Sequence, residues 1–547
     1  MKLKKTCALV LSAALVVSAL AGCSGKPTSA SSPASQQAGS GNTANMNPIG
    51  KFPICKEKIT VKALVGSNSN EAKDWNTLEA FKRLEKLTNI HWDFEYVDGS
   101  TAEAFTNQLS IRMAGDDLPE VAISQSMSSD TEEAYGPVGK LMDITPYLKY
   151  APHLQKLFAD NKTVRLSCTA SDGKHYGLPN YTLSTANVPN LTFFQKKWMD
   201  KVGITKVPET TDELYAMLKA FKDKAPNGNP KTVIPMSCAG EGNLRIILQT
   251  AFQGYAGGSV TDEWDVDDNG KVVYLPEEKG YKEYLAYCNK LYKEGLLSND
   301  FATIKGDQLK AENVSGNVGL YLGSTPTVLA GTKMENEPQI CLGPLTSPTN
   351  SKKVAQTPHN LYPTNGVITS NCKHPEAVMS WFDLFYRPLG EEIDGFCGMT
   401  SLLGYENEQW KFTDAAKTKY QFIAPTKSYL DLNKNTMITF GMPCYINLTA
   451  FMQGSPLMTA KMEQNKEKYS QYYRASYPEG VRFTKEESDQ TATIQTDLDN
   501  YQGMMATKFI TGQENLSGFD KFVSNLKQYR CDTLKQLKQA AYDRYSK

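Results

Sequence analysis

The chain has 547 residues, 59 Lys+Arg against 59 Asp+Glu, 10% aromatic side chains and eleven cysteines. That length exceeds one hydrophobic core and calls for two or more domains of ordinary size. The even charge balance excludes a nucleic-acid surface, which needs concentrated Lys and Arg, and the absence of any C-x-x-C pair excludes a zinc site or dense disulfide framework of familiar spacing.

In chain order, Lys2, Lys4 and Lys5 precede an apolar run from Ala8 to Ala19 and then Leu20-Ala21-Gly22-Cys23. Basic start, apolar centre and small residues form an export signal, and the run is too short to span a bilayer. The four residues resemble the lipobox of bacterial lipoproteins. That resemblance implies removal of residues 1–22 and a lipid (palmitate among its acyl chains) on Cys23, the alternative being an ordinary signal with a chance cysteine. Two or more acyl chains hold a protein to a membrane more firmly than one. The removed segment takes three lysines with it, leaving a slightly acidic mature chain. Residues 23–54 begin with Ser, Ala, Gly, Pro, Gln and Asn and cannot bury enough surface to fold. They form a flexible tether with a reach of roughly 30 Å.

Folded structure is expected from residue 55. Ile59, Val61 and Ala63 alternate with polar residues, as do Ile90, Trp92, Phe94 and Tyr96, so both stretches read as strands. Helical spacing links Trp75, Leu78, Phe81, Leu84 and Leu87, and a second helix runs from about Thr101 to Met113 before Val121-Ala122-Ile123. Alternating strands and helices predict an α/β domain with a largely parallel sheet. Ligands of such sheets sit beyond the carboxyl ends of the strands, which puts Asn68, Trp75, Asn76, Asp98 and Ser126 on one rim. Trp75 reads equally as core by its spacing to Leu78.

Gly173 to Phe194 reads as extended segments crossing between domains, and Tyr181 within it either faces a cleft or covers the hinge. A second α/β pattern begins at Trp198. Thr210-Thr211-Asp212-Glu213 forms a capping box. Ile234-Pro235-Met236 leads into a loop, Gly240-Glu241-Gly242-Asn243, whose Glu241 accepts bonds from ligand hydroxyls or is a solvated loop acid. Trp264 to Tyr274 is a hairpin turning at Asn269-Gly270, with Trp264 as packing or as an aromatic contact. Val318 to Gly323 is a buried strand, and Pro375 opens a helix carrying Val378, Trp381, Phe382 and Phe385. Phe396 and Tyr445 fall in Gly- and Pro-containing stretches that favour exposure. The segment from Ser517 is read as one long amphipathic helix.

No catalytic residue stands out. The five His are scattered, and the sequence has no H-E-x-x-H, P-loop or G-x-S-x-G. A pair of glycosidase carboxylates is defined in space and stays open. Asp265, Asp267 and Asn269-Gly270 match the first half of a calcium-binding EF-hand loop. Pro276 occupies the position of the closing Glu, so a hairpin turn is preferred to calcium and no cofactor is expected.

Taken in order, the lipobox, the tether, Leu109 to Val121 (LSIRMAGDDLPEV), Phe193 to Gly203 (FFQKKWMDKVG), Val207 to Phe221 (VPETTDELYAMLKAF), Lys290 to Thr303 (KLYKEGLLSNDFAT) and Lys508 to Gly512 (KFITG) resemble the substrate-binding lipoproteins of bacterial ATP-driven importers. They are most similar to extracellular solute-binding protein family 1, the maltose-binding-like group. Relatives often carry an acidic Asp-Pro-Asn-Gly-Asn-Gly loop, whereas Ala225 to Pro230 here lacks the acid. The resemblance implies a two-lobed Venus-flytrap fold with hinge-crossing strands. Lobe 1 would hold residues 55–182 and about 364–445, and lobe 2 residues 183–363 and about 446–547 with the C-terminal helices. It also implies a monomer on the extracellular face of the membrane that clamps a carbohydrate, typically an oligosaccharide, and docks on ABC permease subunits. A peptide or small-metabolite receptor of the same fold, or a surface glycan hydrolase, are the alternatives.

Overall fold

Strand β1 (Ile59–Ser67) buries Val61, Ala63 and Val65 on one face while Thr60 and Lys62 stay exposed, and Leu64 is buried on the other face, the side-chain alternation of a strand. In this computed structural model, residues 43–67, 71–99, 102–115, 117–125, 127–183, 191–257, 263–323, 337–356, 361–427, 429–439, 441–447, 452–453, 463–478 and 480–547 are described. Ahead of β1, residues 43–57 fold back on themselves and dock. Met46 bridges Cys55, the Cys55 N–H donates to the Thr88 carbonyl at 3.1 Å, and the Asn89 amide donates to the Cys55 carbonyl at 2.9 Å. Helix Glu79–Thr88 follows β1, buries Ala80, Phe81 and Leu84, and ends on Asn89 in the left-handed region, a common stop for a helix.

Strand β2 (Ile90–Asp98) pairs parallel with β1 from Ile59↔Ile90 to Ser67↔Asp98. After helix Ala102–Ala114, β3 (Val121–Ile123) pairs parallel on the other side of β1. β4 (Gly177–Leu183) ends the first pass through lobe 1. The chain then builds β5 (Leu191–Gln195), β6 (Ile234–Ser237), the hairpin β7 (Trp264–Val266) and β8 (Val272–Tyr274), β9 (Val318–Gly323) and β10 (Gln339–Cys341). The lobe 2 sheet has the order β10-β5-β9-β6, with only β6 and β9 parallel. The expected capping box is present: the Glu213 N–H donates to Thr210 Oγ1 at 3.1 Å, and the Thr210 N–H donates to the Glu213 carboxylate at 3.2 Å. It opens helix Thr211–Lys224, whose Leu214, Met217, Leu218 and Phe221 are buried.

Short β11 (Ala355–Gln356) precedes the return to lobe 1 in β12 (Leu361–Ile368), which inserts antiparallel between β3 and β4. After β13 (Trp410–Phe412) and β14 (Lys419–Phe422), β15 (Cys444–Asn447) joins the edge parallel to β4. The lobe 1 sheet is therefore β15-β4-β12-β3-β1-β2. It is largely parallel, as the sequence predicts, except that the returning β12 enters from the opposite end and runs antiparallel to its neighbours. Its core centres on Trp92 and Trp381, with ring centroids 4.7 Å apart.

β16 (Met452–Gln453) pairs with β14, and β17 (Tyr473–Arg474) pairs with β11. Tyr477 and Val481 pack into the lobe 2 core. Beside them Arg482 reaches back to lobe 1. Its Nε and Nη2 donate to the Ser167 carbonyl at 3.0 and 2.7 Å, and Nη2 lies 3.4 Å from Glu132 Oε1. Glu132 is fully buried and accepts the Thr364 hydroxyl of β12. Burial pushes its carboxyl pKa upward, against the pull of Arg482. Gly177 of β4 is required here, since a Cβ at that position would sit 2.2 Å from Glu132 Oε1.

The C-terminal part departs from the expected single helix. Helix Lys485–Thr511 buries Ile494, Leu498, Tyr501, Phe509 and Ile510 against lobe 2 and stops at Gly512, with φ +77°. Asn515 then caps a short turn, helix Phe519–Leu526 follows, and Arg530 in the left-handed region separates it from helix Cys531–Ser546. Periodicity alone does not register those breaks. Among the described residues the nine cysteines from Cys55 to Cys531 form no disulfide, and all but Cys372 are buried.

Candidate ligand-binding site

The carboxyl ends of β6 and β9 point toward the chain crossings, since Leu191, the first residue of β5, pairs with Gly323, the last of β9. An open cavity lies beside this edge, in the place where α/β sheets hold small ligands. Leu191 and Thr192 line it with Leu342 to Pro344, Val354 to Gln356 and Tyr469, opposite Arg245, Ile246, Gln249, Thr250 and Tyr255. The latter wall is a helix wound from Gly240 to Gln253 with a π-helical stretch at Arg245–Gln249. Such widened turns are rare and frequent at functional sites.

Behind that wall sits a buried ionic cluster. Arg245 Nε lies 3.1 Å from Glu241 Oε2, and its Nη1 lies 3.2 Å from Glu263 Oε1. The Tyr281 hydroxyl donates to Glu263 Oε1 at 3.0 Å and the Gln249 amide to Glu263 Oε2 at 2.9 Å. The Tyr284 hydroxyl donates to Glu241 at 3.3 Å. Two carboxylates thus share one guanidinium away from water. Burial raises the Glu241 carboxyl to about 7, Arg245 opposing and Glu263 adding to the shift.

The residues singled out from the sequence fall in different places. Cys23, Asn68 and Ser126 lie outside the described residues. Trp75 is enclosed by lobe 1, its ring 5.4 Å from Phe94 and 5.9 Å from Phe81, so it occupies core and not the rim. Trp264 is fully buried against Tyr274 at 4.6 Å. Phe396 packs 5.0 Å from Phe385, 1% exposed, where its loop composition suggested exposure. Glu241 is no loop acid. It occupies the first turn of a helix, and its helical neighbour Arg245 draws it inward. Asn76 donates its amide to the Trp92 carbonyl at 3.0 Å, and Asp98 is exposed at the carboxyl end of β2.

Two of the candidates are brought together. Tyr181 of β4 and Tyr445 of β15 pair in register with rings stacked at 5.6 Å and 10°. Tyr445 is thus a strand residue, not a loop residue. Both rings are half-buried, and Asn161 lies 3.4 Å from the Tyr181 hydroxyl.

The residues considered for calcium serve the hairpin. Asp267 Oδ1 accepts the N–H groups of Asn269 and Lys271 at 2.9 and 2.8 Å. Asp265 is buried and accepts the Val266 N–H at 2.6 Å. Among the described residues no group of three or more His, Cys, Asp or Glu is arranged to hold a metal. In the Ala225 to Pro230 loop, Asn227 and Asn229 likewise bond to nearby Thr232, Asn317 and Lys231.

Arg245, Tyr255 and Gln356 were not singled out from sequence, because the cavity assembles from segments far apart in the chain. Only the glycines flanking Tyr255 advertise a presented side chain.

Residues 70–391 match the family of bacterial extracellular solute-binding proteins. The fructooligosaccharide ABC transporter substrate-binding protein FusA of Streptococcus pneumoniae serotype 4 (strain ATCC BAA-334 / TIGR4) is 26% identical over 98% of this chain and 97% of its own length. The FusA structure in complex with kestose superimposes with a TM-score of 0.72 at 25% identity, covering 89% of this chain and 99% of FusA. An extracellular solute-binding protein from Bifidobacterium longum subsp. infantis shares the fold, with a TM-score of 0.78 at 22% identity over 90% of this chain and 99% of that one. Among the described residues no helix is long and apolar enough to cross a membrane. With two α/β lobes and a family match over residues 70–391, the chain belongs to the bacterial extracellular solute-binding protein family.

Proposed function

We propose that this protein is the oligosaccharide-capturing component of an ABC importer, held at the outer face of the cell membrane by lipid on Cys23. The observation that carries this reading is the match to FusA along nearly the whole of both chains. The lobe 2 cavity, with the stacked Tyr181 and Tyr445 on the lobe 1 sheet, supports it. A ligand that touches both lobes binds the closed form better and draws the hinge shut. Closed protein then docks as a monomer on the permease subunits. The protein binds its sugar without hydrolysing it and uses no resident metal.

A thermal-shift and calorimetry panel of oligosaccharides, peptides and amino acids tests the ligand. An oligosaccharide at a hundred times its Kd is expected to stabilise the fold by about 2.7 kcal/mol and to be recovered intact. Stabilisation by peptides alone, or release of new reducing ends, would overturn the reading. The anchor has its own test: Cys23→Ser is expected to move the protein from the membrane to the soluble fraction with Kd unchanged, and retention in the membrane would remove lipid on Cys23 from the account.

A further inference from the structure

Tyr255 stands between two glycines, Gly254 and Gly257, both in the left-handed region at φ +69° and +70°, which a side chain would strain. Gly254 closes the π-containing helix, its N–H donating to the Thr250 carbonyl at 3.1 Å. The Gly257 N–H donates to Asp265 Oδ2 at 3.2 Å. This short loop is therefore tied at both ends with the Tyr255 ring between. The ring lines the cavity and is half-buried.

The guanidinium of Arg474 lies over the ring, 5.3 Å from its centroid, a cation–π contact. Arg474 is itself fixed. It donates to the Val266 carbonyl, lies 3.7 Å from Asp265 and 3.6 Å from Asp268, and pairs through β17 with Gln356 of the cavity wall. Asp265 thus holds both the loop that carries the ring and the cation beside it.

We propose that Tyr255 is the stacking platform for a sugar ring in the lobe 2 cavity, positioned by Arg474, and that the sugar it takes is uncharged. This rests on the oligosaccharide reading above. A ring already held in place loses little freedom on binding, so more of the contact energy appears as affinity. The C–H face of a sugar packs on such a ring. Charge decides the class of sugar. Arg245 is the one charged residue among the described lining, and it already lies against Glu241 and Glu263. Arg474 lies against Asp265 and Asp268, and Lys352 reaches Asp268 at 3.7 Å. Three buried carboxylates, Glu241, Glu263 and Asp265, thus face the guanidiniums of Arg245 and Arg474 behind this wall, and a uronate would add a further negative charge at unfavourable cost. A hydroxyl adds none.

Calorimetry on the full-length protein tests this with kestose, maltotriose, xylotriose and trigalacturonate at two salt concentrations, followed by variants with the tightest binder. A neutral trisaccharide is expected to bind tightest, with a Kd insensitive to salt. Tyr255→Phe should stay within about twofold and Tyr255→Ala should weaken binding about tenfold or more. Arg474→Gln should weaken binding about threefold in the wild-type background and leave Tyr255→Ala unchanged, whereas a merely structural Arg474 would weaken both. Full affinity in Tyr255→Ala, checked for native melting, overturns the platform and leaves the oligosaccharide reading standing. Tightest binding of trigalacturonate, relieved by salt, overturns the uncharged class. Binding of none of the four sugars overturns this inference, while the wider panel above decides whether the oligosaccharide reading falls with it.

Discussion

Arg245→Met is expected to lower the unfolding free energy by about 3–5 kcal/mol at pH 8, because it strands two buried carboxylates on one removed partner. Glu241 and Glu263 are 8% and 2% exposed and share the Arg245 guanidinium. The pH dependence has a definite sign. A carboxyl whose folded pKa is raised above its unfolded value contributes stability that is complete below the unfolded pKa and is lost as pH rises through the folded one. Glu241 is raised to about 7, so its contribution in the wild-type protein fades between about pH 4.5 and 7. Without Arg245 the Glu241 carboxyl moves higher still, and the gap between variant and wild type widens from pH 5 to pH 8. Denaturant titrations at several pH values read this directly, and Glu241→Gln should flatten the wild-type profile. An Arg245→Met protein within 1 kcal/mol of wild type at pH 8 would show that the cluster is solvated.

Arg482→Met should cost a similar amount, about 3–5 kcal/mol, for a related reason at a different place. The guanidinium meets the Ser167 carbonyl and Glu132, both in lobe 1, from a segment whose neighbours Tyr477 and Val481 belong to the lobe 2 core. Removing it leaves Glu132 Oε1 on the Thr364 hydroxyl, which brings no compensating charge. Adding Glu132→Gln should recover part of the loss, since contacting residues are not additive. Arg482→Lys should fall between, because an ammonium cannot reproduce the fork on the Ser167 carbonyl. Chemical denaturation of these proteins with the Glu132→Gln single variant distinguishes the outcomes, and a double-variant loss equal to the sum of the Arg482→Met and Glu132→Gln losses would show that the pair is not coupled.

Local patterns were legible where one segment carried the whole signal. The alternation at Ile59 to Ala63, the capping box at Thr210 and the Asn269-Gly270 hairpin all appear where they were expected. Features that depend on another segment were not. The antiparallel insertion of β12 needs the return crossing, and the helical turn at Glu241 needs Arg245 and Glu263 to draw the acid inward. Trp75, Trp264 and Phe396 carry the residue type of a sugar platform, yet their neighbours enclose them. Tyr255, unremarkable by periodicity, is presented by two left-handed glycines and a cation from a strand more than two hundred residues away.

The buried thiols give the molecule a set of internal clocks. Alkylation needs both access and thiolate, and burial withholds both, pushing Cys55 up to about 11 and Cys444 up to about 12. Each thiol reacts at the pace at which its own neighbourhood opens. Cys55 times the undocking of the N-terminal fold-back, Cys444 the edge of the lobe 1 sheet, and Cys288 and Cys531 the lobe 2 core, so one unmodified chain carries its own map of local stability.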